Sequence, residues 1–115
     1  MTASERRQYP RVREKLECRL SAPAGAFSVR TDDLSCGGAS CLMDQMIAPM
    51  TKLSVQIDLP ASNPVRCTGV VLRQQKTKNS GGYQTALYFS DLDGSDRKRI
   101  AEFVLQSMFR NHQEN

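Results

Sequence analysis

Leu53-Ser-Val-Gln-Ile-Asp-Leu59-Pro60 is the stretch on which the fold turns. Apolar and polar side chains alternate along it, so one face points to a core and the other to water, the pattern of a β-strand. Pro60 ends the strand, because proline cannot donate to a ladder. The same period of two recurs on both sides. Upstream, Leu16, Cys18 and Leu20 alternate with charged residues. Ser21-Ala-Pro-Ala-Gly25 reads as a turn. Phe27 and Val29 begin a second strand that is expected to end near Asp32, and Ala39, Cys41 and Met43 predict a third. Residues 44–52 read as a loop containing Met46, Ile47 and Met50; with Met43 these apolar residues either fill a barrel mouth or face a partner. Downstream, Val65, Cys67 and Val71 predict a fifth strand, with Gly69 marking a bend or bulge. A polar turn over Lys76–Gly82 leads to a sixth, carried by Tyr83, Thr85, Leu87 and Phe89.

Beyond Phe89 the period changes to 3.6. Ile100, Phe103, Val104, Ser107 and Met108 share one face, and Arg97, Lys98, Arg99 and Glu102 the other. Ser95 and Asp96 are suited to cap and charge a helix start, which predicts a helix over 95–110. Six short strands and one amphipathic helix imply a mainly β fold: a six-stranded antiparallel β-barrel with a C-terminal α-helix packed on it. A barrel leaves no sheet edge exposed.

The 115 residues suffice for one domain and one core. Hydrophobic residues at 39% and charged residues at 24% suit a globular chain rather than a disordered one. No run approaches the ~20 apolar residues of a membrane span, so no membrane insertion is expected. The N-terminus, Met1-Thr-Ala-Ser-Glu-Arg-Arg7, lacks the apolar segment of a secretory signal, so the expected location is the cytoplasm. Cys18, Cys36, Cys41 and Cys67 form no CxxC, and the one histidine, His112, lies near the C-terminus. That spacing fits buried apolar thiols in a reducing compartment better than a metal or disulfide framework.

Charge is uneven. Residues 1–19 hold six basic side chains against three acidic ones, within an overall net charge of +4. Residues 1–13 show neither period and Pro10 opposes a helix, so this segment reads as a flexible basic arm that attracts anions. Residues 14–110 then form the barrel and helix, and 111–115 a tail.

Two motifs stand out. Arg7-Gln-Tyr-Pro-Arg11 reads RxxxR, preceded by Arg6, and Asp33-Leu-Ser-Cys-Gly-Gly38 reads DxSxxG. In this order, on six strands and a helix, they resemble the signature of the PilZ domain, the bacterial receptor for cyclic di-GMP. The resemblance covers nearly the whole chain. It implies that Arg7 and Arg11 clamp phosphate and guanine, that Asp33 and Ser35 bind guanine, and that Gly38 shapes the turn. Arg6, beside the motif, implies an intercalated ligand pair. The chemistry is suited to this. A guanidinium fork pairs bidentately with phosphate or with guanine O6 and N7, and stacks on a purine. A carboxylate accepts from guanine N1–H and N2–H₂, and a hydroxyl adds one more hydrogen bond. Gly37 and Gly38 are expected to permit positive φ and to leave room for a flat base. One departure from the family is Ala86 in Ala86-Leu-Tyr-Phe89, where many members carry glycine. Tyr9 is expected either to stack on the ligand or to anchor the arm. Arg73 and Lys76 either extend a phosphate site or are solvated strand ends.

The functional expectation is a non-catalytic cyclic di-GMP receptor whose arm orders on binding and alters contact with an unidentified downstream protein. No cofactor beyond that ligand is expected. The alternative is a PilZ-like adaptor that works by protein contacts without nucleotide. DNA or RNA binding is not expected: the three tyrosines and four phenylalanines are dispersed and there is no tryptophan, so no stacking platform is evident. Nor does any nucleophile–histidine set or paired carboxylate suggest an enzyme.

Overall fold

The computed structural model describes residues 9–23, 25–79 and 81–113. Its elements are β1 (Glu17–Ala22), β2 (Gly25–Leu34), β3 (Gly38–Met43), β4 (Lys52–Ile57), β5 (Val65–Lys76), β6 (Tyr83–Phe89) and α1 (Gly94–Gln113). The six strands close antiparallel into a barrel in the order β1-β2-β3-β6-β5-β4. The alternating residues converge inside it: Leu20, Ile57, Val65 and Val71 are fully buried, with Leu53, Val55, Cys41, Met43, Leu87 and Phe89 nearly so. Of the apolar residues around the β3–β4 loop, Met43 is buried and Ile47 packs against the core, whereas Met46 and Met50 stand 75% and 73% exposed.

The turn between β2 and β3, the loop between β4 and β5 and the end of β6 all lie at one end of the barrel, and α1 closes that end. Ile100 and Val104 enter the core, and Arg99 donates to Ser62 Oγ (2.7 Å) and to the Asn63 carbonyl in the β4–β5 loop. The helix cap is Asp93 rather than Ser95: its Oδ1 accepts the Asp96 N–H (2.8 Å) and the Ser95 hydroxyl (2.9 Å). The helix also runs to Gln113, past the predicted end at 110.

Three other expectations are corrected. Strand β2 continues past Asp32 to Leu34, so Asp33 lies in the strand and not in the turn. The bulge in β5 is not at Gly69, which keeps register with Leu53 and Phe89; the register shifts between Val71 and Arg73. Gly69 instead fills a packing requirement, because a Cβ there would come within 2.7 Å of Val55 Cγ2. Neither Gly37 nor Gly38 has positive φ; the glycines that do are Gly25 and Gly81.

The second register shift lies in β2, between Thr31 and Asp33. Strand β1 pairs only with residues 25–30 of β2. Beyond that point Val12 takes the edge, exchanging hydrogen bonds with Leu34 (Val12 N to Leu34 O, 3.0 Å; Leu34 N to Val12 O, 2.9 Å). Val12 is buried, so pairing with the barrel begins one residue before the predicted arm ends. Thr31, with no exposed surface, bridges the gap: its hydroxyl donates to the Glu14 carbonyl (2.6 Å) and accepts from the Leu16 N–H (2.9 Å). Two otherwise orphaned backbone groups are thereby satisfied.

Candidate functional site

The Val12–Leu34 pair sets the site, because it lays the chain beside the end of β2. Arg11 Nη1 then stands 3.9 Å from Asp33 Oδ2, their side chains 59% and 27% exposed. The fold thus brings the second arginine of RxxxR to the carboxylate of DxSxxG. An exposed pair at that separation contributes about 0–1 kcal/mol, so a ligand could separate it at little cost. Arg6 and Arg7 lie outside the described residues.

The bulge at Asp32 decides which way the neighbouring carboxylates point. Asp32 faces Lys15 Nζ (3.7 Å) and accepts from Gln84 Nε2 (2.8 Å), whereas Asp33 faces Arg11. Asp33 therefore keeps the looser partner.

Ser35 is buried, and its hydroxyl is turned into the loop. It accepts the Gly37 N–H (3.1 Å) and donates weakly to the Gly38 carbonyl (3.4 Å), which also accepts the Ser35 N–H (2.9 Å). In this state the serine organises the turn. Gly38 is required by close approach: a Cβ there would lie 2.0 Å from the Leu87 carbonyl oxygen, inside the β3–β6 ladder. The turn is tied to β6 again by the Phe89 N–H, which donates to the Gly37 carbonyl (3.0 Å).

Tyr9, inside RxxxR, acts here as an anchor. Its ring lies over Gly37, where an added Cβ would come within 3.1 Å of it. Arg97 of α1 also packs on the ring, its guanidinium carbon 5.7 Å from the ring centroid. The same guanidinium donates to the Tyr9 hydroxyl (3.5 Å) and to the Cys36 carbonyl (3.3 Å). Ser107 adds a second tie by donating to Glu14. The sequence reading placed Arg97 on the wet face of the helix, and only its position at the first turn, beside the barrel end, could have distinguished it.

Burial raises the thiols of all four cysteines above their ordinary range, those of Cys18, Cys41 and Cys67 to about 12. They are poor nucleophiles at neutral pH. Among the described residues no group of three or more His, Cys, Asp or Glu side chains is placed to hold a metal ion, and no described helix is long and apolar enough to cross a membrane.

The sequence matches the family model of the PilZ domain over residues 5–106, which includes both motifs. The chain belongs to the PilZ domain family. PilZ domains are, as a family, receptors for cyclic di-GMP. Solved PilZ-type structures share the fold at low identity. The PilZ domain of YcgR from Escherichia coli, solved with c-di-GMP, is 10% identical with a TM-score of 0.76, over 95% of this chain and 96% of that one. The MrkH–c-di-GMP complex of K. pneumonia is 18% identical (TM-score 0.83) over 95% of this chain, and MotI/DgrA, the inhibitor of motility of Bacillus subtilis, is 18% identical (TM-score 0.83) over 90%. The matched region spans about half of each of those two proteins, 55% of MrkH and 52% of MotI/DgrA. A comparison with curated proteins finds no match.

Proposed function

We propose that this PilZ domain is a non-catalytic receptor for cyclic di-GMP, held between the RxxxR arm and the DxSxxG turn. The observation that supports the reading best is the approach of Arg11 to Asp33 across 3.9 Å. A guanine inserted there would offer its N1–H and N2–H₂ to Asp33 while Arg11 and Arg7 take its O6 and N7 or a phosphate. Arg6 would add a third fork, consistent with two stacked ligands. Ser35 and Gly38 would act mainly by shaping the turn, with the weakly held serine hydroxyl available to a ligand oxygen. Fixing the arm costs conformational entropy, which several charge-assisted hydrogen bonds of about 1.5–3 kcal/mol each would offset. Because Tyr9 sits between the arm and Arg97, a change in the arm would reach α1 and the surface shown to a downstream protein. The reaction-free role, a cytoplasmic setting and the lack of a nucleic-acid partner belong to this same reading.

Calorimetric titration with cyclic di-GMP, against GTP and cyclic di-AMP, tests it. Binding is expected for the wild type and near-complete loss for Arg7→Ala and Arg11→Ala, with both variants still folded. Wild-type affinity in both variants would exclude this site. The adaptor reading finds support in the exposed Met46, Met50, Leu105 and Phe109, which offer apolar surface to a protein; an absence of any heat with cyclic di-GMP would favour it.

A further inference from the structure

The chain re-enters the barrel before β4 through Ala48-Pro49-Met50-Thr51. The Thr51 N–H donates to the Ala48 carbonyl (3.3 Å), with Pro49 second in the turn and Met50 third, at a φ of 70°. That is a type II turn, whose third position favours glycine. The Met50 N–H then donates to the Val71 carbonyl (2.6 Å), and the Val71 N–H to the Thr51 carbonyl (2.9 Å). Two residues oppose one, in the hydrogen-bond pattern of a G1 bulge, whose first position again favours glycine. Methionine therefore stands where two rules call for glycine, at a cost in backbone energy. Its side chain gives little back to the core, since it is mostly exposed. A strained residue that keeps a large exposed apolar side chain points to a use outside the fold.

Met50 has apolar company. The Val71 carbonyl that it binds leads into Leu72, which the β5 register shift leaves exposed. Tyr88, half exposed, follows on β6 opposite Val70, and Val70 lies opposite Lys52. The wall formed by β4, β5 and β6 is also one-sided in charge. Its strands carry Lys52, Arg66, Arg73 and Lys76 and no Asp or Glu. Asp91, just beyond β6, is held by the Thr68 N–H (2.5 Å) and hydroxyl (2.9 Å). A second copy of so cationic a surface would be repelled by the first. Nucleic acid would meet the cations but stacks on aromatic side chains, and leaves Met50 and Leu72 without a role. A segment with apolar side chains between carboxylates satisfies both features. Methionine adapts its shape to apolar partners, and the lysine and arginine rim complements the acids.

We infer that this wall docks a partner protein through an amphipathic segment that carries acidic residues beside apolar ones, with Met50 and Leu72 as the anchors. The inference goes beyond the nucleotide reading and holds with or without it, so calorimetry with cyclic di-GMP reads the two separately.

The test is an NMR titration of the full chain with a synthetic amphipathic helix that has leucine at i, i+4 and i+7 flanked by glutamates. Its lysine-flanked twin and vesicles of phosphatidylcholine with phosphatidylglycerol are the comparisons. The acidic peptide is expected to shift the amides of Met50, Leu72 and Tyr88 and to bind roughly tenfold or more tightly than its basic twin. Met50→Gly and Leu72→Ser should each weaken it about tenfold, as loss of an anchor does. Leu105→Ser, on the exposed apolar face of α1, should bind as wild type does. Met50→Gly should also keep or raise the melting temperature, because it relieves the positive φ. A fall there would show Met50 serving the fold and would overturn its role as an anchor. Equal binding of both peptides, shifts confined to other faces, response to the vesicles alone, or self-association through Met50 and Leu72 would overturn the inference.

Discussion

Gly38 shows how a motif residue can be constrained by the fold before any ligand is considered. A methyl group there meets the Leu87 carbonyl oxygen at 2.0 Å, and β3 would have to part from β6. Gly38→Ala should therefore destabilise the domain by about 1–3 kcal/mol, as overpacking does. Gly94→Ala, with nothing within 4 Å of the added carbon, should be neutral or mildly stabilising; denaturant midpoints compare the two. Two exposed carboxylates contribute to the acid limb of stability. The Thr68 N–H and then its hydroxyl hold Asp91 below its ordinary 3.8, and the Asp96 N–H followed by the Ser95 hydroxyl does the same for Asp93. The unfolded chain binds their protons more readily. Their stabilisation is thus present at neutral pH and is lost as pH falls below 3.8. An Asp91→Asn/Asp93→Asn double variant should lose less stability than wild type on acidification through that range, as read by melting temperature. The cysteines act at the other limb. Cys18, Cys41 and Cys67 ionise near 12 when folded, against 9.0 unfolded, so their contribution is present below pH 9.0 and fades as pH rises toward 12. At neutral pH Cys18 and Cys41, both buried, should react with a thiol reagent only as fast as the chain unfolds.

At the scale of elements, the strands were legible because their burial is one-sided. Leu53, Val55 and Ile57 alternate with polar residues, and no other structure buries all three while leaving Ser54 in water. The helix was legible for the same reason at a period of 3.6. Less legible were the bulges: the one in β5 was expected at Gly69 and lies at Leu72, and the one in β2 was not expected. Their trace is nevertheless in the sequence: Asp33 and Arg73 are charged residues standing where alternation from Thr31 and Val71 calls for core residues. A charge at an inward position signals a register shift, and glycine at 69 was the weaker clue. Thr31 and Arg97 were missed because their roles depend on segments far away in the chain. Thr31 bridges Glu14 and Leu16 where the arm leaves β2. Thr31→Val, nearly the same shape, would leave that N–H and carbonyl unsatisfied, and should cost about 1–3 kcal/mol in chemical denaturation. Arg97 joins Tyr9 to α1. Arg97→Ala should leave the barrel folded and speed amide exchange around Tyr9 and Cys36, measurable by NMR.

For the molecule as a whole, the closed barrel carries Asp33 and the DxSxxG turn at the end sealed by α1. The RxxxR and DxSxxG motifs were readable as text, and their approach follows from one pairing, Val12 with Leu34, that no local pattern announces. The central claim is that arm and turn enclose one purine messenger. The most direct measurement is a crystal structure of the domain with cyclic di-GMP. The account predicts electron density for the ligand between Arg11 and Asp33, with a guanine edge on Asp33 and the arm folded over it. Ligand density elsewhere on the barrel, or an Arg11–Asp33 pair left undisturbed in the complex, would contradict it.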